Sequence, residues 1–276
     1  MTLTRRDITE LLERHGLSPS RALGQNFLAD PNTVRRIVAL ARVGVDDHVV
    51  EIGPGVGSMT VELAATGAHV RAIELDRHLL AVLDETVVPL GVDVVHGDAL
   101  ELAWDAVLDD APSWVLVANL PYNIATTIVL DVLERAPRVQ RMLVMVQREV
   151  GERLAAEPGT GAWGIPSVRL ALDATARVVA RIPATVFIPR PRVESVMVEV
   201  VRRPRPAVDA DPERLMALVR TAFGQRRKML RRSLAGVVTP EQFTAAAIAP
   251  DDRPERLTIE QWGALCDAVH GPTSGS

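Results

Sequence analysis

Four consecutive residues, Asn119-Leu120-Pro121-Tyr122, follow the apolar run Trp114 to Ala118. A carboxamide next to a backbone carbonyl suits a reaction at an amino group carried on an aromatic ring. Such an amine is a poor nucleophile because its lone pair is delocalised into the ring. Acceptors that hold its hydrogens turn the lone pair towards an electrophile. The Asn119 side-chain oxygen and the Leu120 carbonyl are the expected acceptors, Pro121 stiffens the loop, and Tyr122 offers a π-face on which an unstacked base can lie. No strong general base is needed. The chain has four Trp, four Phe and this single Tyr, and a lone tyrosine in a polar loop is poorly explained as core filler. Phe187, in Val186-Phe187-Ile188-Pro189-Arg190-Pro191, is a candidate for a second stacking face; a hydrophobic plug under a loop explains it equally well.

Upstream, Val49-Val50-Glu51-Ile52-Gly53-Pro54-Gly55-Val56-Gly57-Ser58 reads as a buried strand entering a glycine-rich turn, with a helix from about Met59. Glycines at Gly53 and Gly55 let the backbone pass close to a ligand. Ser58 stands where the dinucleotide-binding fingerprint needs its third glycine, which weighs against NAD and FAD. A glycine turn alone also fits an ordinary tight connection. Two carboxylates add to it. Glu74 ends the next strand about twenty residues on, where a ribose presents its hydroxyls. Asp98, in His96-Gly97-Asp98-Ala99-Leu100, can accept from the amino group of a cofactor's adenine. Each alone is an ordinary cap or loop residue. At the C-terminal ends of consecutive parallel strands they mark a ligand crevice, and acidic surroundings suit a sulfonium cation.

The elements that must hold these residues follow from the periodicity. Short apolar runs at His48 to Ile52, His69 to Ile73, Val92 to Val95, Trp114 to Ala118 and Arg141 to Val146 alternate with helix-length segments, which predicts an α/β fold with a parallel sheet. Thr175 to Ile182 and Val193 to Val201 read as two more strands without a long helix between them, an antiparallel pair at one edge. Pro204, Pro206 and Pro212 mark a linker. Glu213 to Phe223, Lys228 to Ala235, Pro240 to Ala247 and Ile259 to Val269 then read as helices. The expected domains are therefore 1–203 and a small all-helical domain at 204–276, ending in a disordered Gly-Pro-Thr-Ser-Gly-Ser tail.

The formal charge of −4 is unevenly spread. Residues 46–110 hold fourteen acids and two Arg, residues 1–43 seven Arg and four acids, and residues 202–232 ten basic side chains and three acids. An acidic middle between basic flanks is compatible with an RNA partner, although any one charge run also fits a solvated helix face. The single Cys266 excludes a disulfide framework and a multi-Cys zinc site, no metal is expected, and the residue reads as a small buried side chain. No apolar stretch is long enough for a membrane span and the N-terminus lacks a signal-peptide core, so a cytoplasmic protein is expected.

The ordered set of motifs resembles the bacterial ribosomal RNA adenine dimethyltransferases of the KsgA family. It comprises Leu23-Gly24-Gln25-Asn26-Phe27-Leu28, Glu51-Ile52-Gly53-Pro54-Gly55, Ile73-Glu74-Leu75-Asp76, Gly97-Asp98-Ala99, Asn119-Leu120-Pro121-Tyr122-Asn123-Ile124, Phe187-Ile188-Pro189-Arg190-Pro191-Arg192-Val193-Glu194-Ser195 and Phe223-Gly224-Gln225-Arg226-Arg227-Lys228. The resemblance implies a Rossmann-like methyltransferase domain using S-adenosylmethionine (SAM), followed by a helical domain. It implies two methyl transfers to each of two adjacent adenines near the 3′ end of small-subunit (16S) rRNA in a 30S precursor; the free protein is expected to be a monomer. Carried over residue by residue, cofactor contacts fall on Asn26, Leu28, Gly53, Glu74, Asp98 and Asn119. Without the family, Gln25-Asn26 reads only as a helix-capping turn. Ala125 stands where relatives often have serine and Arg192 where they usually have lysine. The run Arg220 to Arg232 has six cations and no acid. If helical, it presents Arg226, Arg227, Lys228, Arg231 and Arg232 to rRNA phosphates.

Two other readings stay in view. Macrolide-resistance methylases share the motifs but modify an adenine of large-subunit (23S) rRNA; Leu120 and the Phe-Gly-Gln-Arg-Arg-Lys segment favour the small-subunit enzyme. A non-catalytic assembly or transcription factor on the same fold is a different class, opposed by the intact Asn119 and Tyr122.

Overall fold

The computed structural model describes residues 2–20, 22–108 and 111–272. The main sheet has seven strands in the order β4-β3-β2-β5-β6-β9-β7. These are β2 His48–Ile52, β3 His69–Glu74, β4 Asp93–His96, β5 Trp114–Asn119, β6 Val139–Gln147, β7 Ala174–Ile182 and β9 Ser195–Arg202. Strands β4 to β6 with β2 and β3 pair in parallel, and β9 runs antiparallel to β6. The order turns outward in opposite directions from β2 and β5, so the crevice at the switch point lies beyond the ends of these two strands. Their central positions, Val49, Val50, Leu116, Val117 and Ala118, are fully buried, as expected of a sheet covered on its faces.

A second, two-stranded sheet was not expected from the periodicity. Its strands β1 (Phe27–Leu28) and β8 (Phe187–Ile188) pair antiparallel, with Phe27 opposite Ile188 and Leu28 opposite Phe187. Two-residue strands leave no period to detect. The helix that follows, Pro31–Ala41, is capped by Asp30, whose carboxylate accepts from the Thr33 N–H at 2.8 Å, so Gln25-Asn26 is not its cap. That helix buries Val34, Ile37, Val38 and Ala41, a stripe at three- and four-residue spacing, in a cluster with Leu63, Leu143 and Met197. At the N-terminus, Arg5–Arg14 is opened by a Thr4/Asp7 capping box and buries Ile8, Leu11 and Leu12 against Phe27, Val56 and Leu79.

The chain divides into two compact units, one of residues 1–151 and 177–201, the other of 152–176 and 202–276. This corrects the boundary expected at 203: residues 152–176 join the second unit. The reason is the helix Ile165–Asp173, whose Val168 and Leu172 are packed into a cluster with Leu215, Leu218, Trp262 and Leu265. Cys266 is buried in that cluster with a free thiol. Of the expected tail, residues 273–276 lie outside the described residues. A further correction concerns the basic run. Residues 220–224 end the helix Pro212–Gly224 and a second helix spans Leu230–Ser233, but between them Gln225 to Lys228 form turns closed by the Lys228 N–H donating to the Gln225 carbonyl at 2.8 Å. The Leu230 and Arg231 N–H groups donate instead to the carbonyls of Asp252 and Pro250, at 2.8 and 2.9 Å, which prevents a continuous helix.

Candidate active site

The loops leaving β2, β3, β4 and β5 converge with the Leu23–Leu28 segment on one cavity of about 970 Å³ including its open mouth, at the upper end of the size of small-molecule sites. Asn26, Leu28, Gly53, Gly55, Glu74, Asp98 and Asn119 all line it, together with Leu120, Pro121 and Tyr122. Among the described residues its wall carries the carboxyl groups of Glu51, Glu74 and Asp98, and no Lys, Arg or His.

The glycine turn is bent into a shape that L-residues avoid: φ is 70° at Gly53, 62° at Gly55 and 88° at Gly57. A Cβ on Gly55 would stand 2.8 Å from the Phe27 ring, whereas one on Gly53 would meet only the Asn119 carbonyl, at 4.0 Å. Gly55 therefore serves packing. Gly53 keeps space open beside the catalytic loop.

Glu74 is almost wholly buried. One carboxylate oxygen accepts from the Gly55 N–H at 3.2 Å and the other from the Asp76 N–H at 2.8 Å. Burial raises its pKa, and these two hydrogen bonds partly oppose the rise. Asp98 uses one oxygen for the Leu100 N–H at 2.9 Å, which leaves the second oxygen to accept. Asp76 is occupied structurally, holding Gln25 Nε2 at 2.9 Å and the His78 N–H at 3.0 Å. Gln25 thereby ties the 20–26 loop to the end of β3, a role that only the fold reveals.

Asn119 ends β5. Its Nδ2 donates to the Asn26 carbonyl at 2.9 Å, and among the described residues no donor reaches its Oδ1. The carboxamide is thus oriented by the first loop, with its oxygen kept as an acceptor. The Leu120 N–H donates to the Met145 carbonyl at 3.1 Å, which anchors the loop to β6. The Tyr122 hydroxyl bonds Ser195 Oγ at 2.8 Å, and Ser195 is fully buried at the start of β9. Burial raises the Tyr122 pKa, so it stays a neutral ring at working pH. We expect Tyr122→Leu to lower kcat/KM for methyl transfer about 5- to 150-fold, since a base–aromatic stack contributes about 1–3 kcal/mol. Tyr122→Phe, which loses only the Ser195 bond, should cost a few-fold; equal losses in the two variants would contradict a stacking role.

Phe187 is corrected. It is 1% exposed, lies in the apolar cluster beneath the β1–β8 pair and does not line the cavity, so it offers no face to a base.

One cavity residue escaped the sequence reading. Glu51 is 1% exposed inside an apolar strand, and its Oε2 has no hydrogen-bond partner among the described residues. Burial pushes its pKa up to about 8, helped by the charge of Glu74 and resisted by the Thr60 hydroxyl. The signal was present as a single charge in Val49-Val50-Glu51-Ile52. A carboxyl with a raised folded-state pKa costs nothing below about pH 4.5 and an increasing amount up to about pH 8. Without cofactor, Glu51→Gln should therefore gain thermal stability over the wild type as pH rises across that window, by an amount on the order of a few kcal/mol. A constant difference in melting temperature would show Glu51 ionised throughout.

Of the proposed RNA contacts, Arg226 donates to the Gly161 carbonyl at 2.7 Å and lies 3.8 Å from Glu255, and Arg231 pairs with Asp251. Arg227, Lys228 and Arg232 are exposed, with no partner among the described residues.

The family model for ribosomal RNA adenine dimethylase matches residues 17–270. A ribosomal RNA small subunit methyltransferase A from Acidothermus cellulolyticus is 44% identical over 95% of this chain and 93% of its own. Among solved structures, the 23S rRNA methyltransferase ErmE is similar at a TM-score of 0.69 and 25% identity, over 88% of this chain and 99% of its own. A dimethyladenosine transferase from Plasmodium falciparum shares the fold at a TM-score of 0.71 and 21% identity, covering 87% of this chain and 95% of its own. With a family match over most of its length and a site where the Asn119–Tyr122 loop and three carboxyl groups converge on one cavity, the chain belongs to the ribosomal RNA adenine dimethylase family.

Proposed function

We propose that the protein transfers methyl groups from SAM to the N6 amines of two adjacent adenines near the 3′ end of 16S rRNA, giving N6,N6-dimethyladenosine during assembly of the small subunit. The observation that carries the cofactor is the cavity wall, which among the described residues has three carboxyl groups and no basic side chain. A pyrophosphate cofactor would find no counter-charge there, whereas a sulfonium cation is favoured. The Glu51 Oε2 and the buried Ser58 hydroxyl, both without a partner among the described residues, offer acceptors to a ligand. Glu74 takes the ribose and Asp98 the adenine amino group; Leu28 and Asn26 line the same cavity. SAM supplies the electrophilic methyl.

The target adenine stacks on Tyr122 with its N6 hydrogens held by Asn119 Oδ1 and the Leu120 carbonyl. These acceptors rotate the lone pair towards the methyl group, and Asn26 positions the carboxamide by accepting from its other end. In the second unit Arg227, Lys228 and Arg232 bind rRNA phosphates. Arg226 and Arg231 take part only by exchanging their acidic or carbonyl partners for phosphate. The protein works as a monomer in the cytoplasm on a 30S precursor.

Reversing the charges of Arg227 and Lys228 should weaken rRNA binding at least about tenfold and flatten its salt dependence by about two phosphate contacts, with SAM affinity unchanged. Equal loss of both affinities would mean a structural role. The direct test of the substrate is transfer of labelled methyl to unmethylated small and large ribosomal subunits. Label in the small subunit alone is expected; label in the large subunit would indicate the resistance-type reaction, and none in either would indicate a binding protein.

A further inference from the structure

At the far end of β6 from the catalytic loop lies a cluster of guanidinium groups that methyl transfer does not use. Met145 pairs with Asn119 and Arg141 with Val115, so Arg141 stands about 13 Å down the strand from the level of the site. Across the sheet Glu199, opposite Leu143, has a side chain only 5% exposed. Arg177 Nη2 approaches it at 2.6 Å and Arg42 pairs with its other oxygen. Those two arginine side chains are 69% and 62% exposed.

Behind them Arg141 is left over. Its Nη1 is buried without an acceptor among the described residues, and its Nη2 reaches only the Arg42 carbonyl, at 3.5 Å. Burial lowers its pKa and the Arg42 charge lowers it further, while Glu199 and Asp47 act in the opposite sense. Three guanidinium groups thus face one bonded carboxylate, with Asp47 the other acid acting on Arg141. The backbone also points to a built arrangement. Arg42 takes φ 50° and ψ 49° at the end of the helix Pro31–Ala41, where glycine is the usual occupant. Arginines on an edge strand such as β7 deter unwanted strand pairing, but that role needs neither a half-buried Arg141 with its Nη1 enclosed nor a left-handed Arg42.

We propose that Arg42, Arg141 and Arg177 form an anion site for a phosphate group, filled by a phosphodiester of the RNA substrate. The exposed arms of Arg42 and Arg177 meet the anion. Arg141 adds positive charge from behind, half-buried and so screened less than the two outer groups. Glu199 holds the two outer guanidinium groups together against their mutual repulsion. As to its occupant, the inference rests on the proposal that the substrate is RNA.

The test compares the full-length wild type with Arg141→Met and with Arg42→Gln, whose exposed side chain makes it the safer variant should the first fail to fold. Melting is followed with inorganic phosphate against chloride at equal ionic strength, and binding of small-subunit rRNA is measured against salt. SAM titration serves as the control. Phosphate should stabilise the wild type saturably and leave the variants unmoved. The variants should bind rRNA about 3- to 10-fold more weakly with a salt slope reduced by about one contact, at unchanged SAM affinity. Lost phosphate protection with an unaltered rRNA slope keeps the anion site but overturns the RNA phosphodiester as its occupant. Unaltered protection and slope in both variants overturn the proposal. A wild type that binds no small-subunit rRNA, yet is still stabilised by phosphate, contradicts the proposed substrate instead.

Discussion

Asn119→Ala should lower the rate of methyl transfer by about 10²- to 10³-fold, the usual cost of removing one preorganised group aimed at a transition state. The fold should change little. The variant loses one hydrogen bond, from Nδ2 to the Asn26 carbonyl, with a net contribution of about 1 kcal/mol. The rate loss has a different origin, since an adenine whose N6 hydrogens are no longer held keeps its lone pair in the ring. Asn119→Asp sharpens the test. It retains an oxygen but sets a carboxylate against the Asn26 carbonyl with no donor between them, so the side chain turns away and the rate should stay low. Single-turnover kinetics with saturating SAM would separate this from a binding defect. Full activity in Asn119→Ala would remove the acceptor mechanism.

Glu74→Ala should weaken SAM binding at least about 100-fold. The carboxylate accepts the Gly55 and Asp76 N–H groups, at 3.2 and 2.8 Å, and hydrogen bonds to a charged group contribute about 1.5–3 kcal/mol each. Its loss therefore releases the glycine turn and deletes the ribose acceptor at once. Calorimetric titration of SAM reads the affinity, and kcat at saturating SAM should fall far less than KM for SAM rises. A loss of affinity below about threefold would mean that the ribose sits elsewhere.

How much of this was legible in the sequence differed by residue. The parallel strands were, because fully apolar runs such as Val115 to Ala118 leave few alternatives, and the loops carrying Glu74, Asp98 and Asn119 follow from strand ends in such a sheet. The Asn26 and Leu28 contribution came only with the family resemblance; β1 and β8 are two residues each and hold together by a long-range pairing. Phe187 was ambiguous because a proline-rich loop permits either an outward or an inward ring, and packing beneath β1 decides it. Helices at Glu213 to Phe223 and from Lys228 follow from local propensity, but a continuous helix through the basic run does not form because carbonyls of residues 250 and 252 capture the Arg231 and Leu230 N–H groups. Glu51 was visible as a charge in a buried strand, yet its meaning depends on a cavity that no periodicity shows. Likewise, Ser195 and Gln25 act across long separations, on Tyr122 and Asp76.

The most direct test of the account is chemical identification of the product. Small-subunit rRNA incubated with the wild type and SAM would be cleaved with nucleases and its fragments sequenced by mass spectrometry. The account predicts N6,N6-dimethyladenosine at two neighbouring positions near the 3′ end, absent when Asn119→Ala is used. Methyl groups on another base, on a ring nitrogen of adenine, or at a single isolated adenine would contradict it.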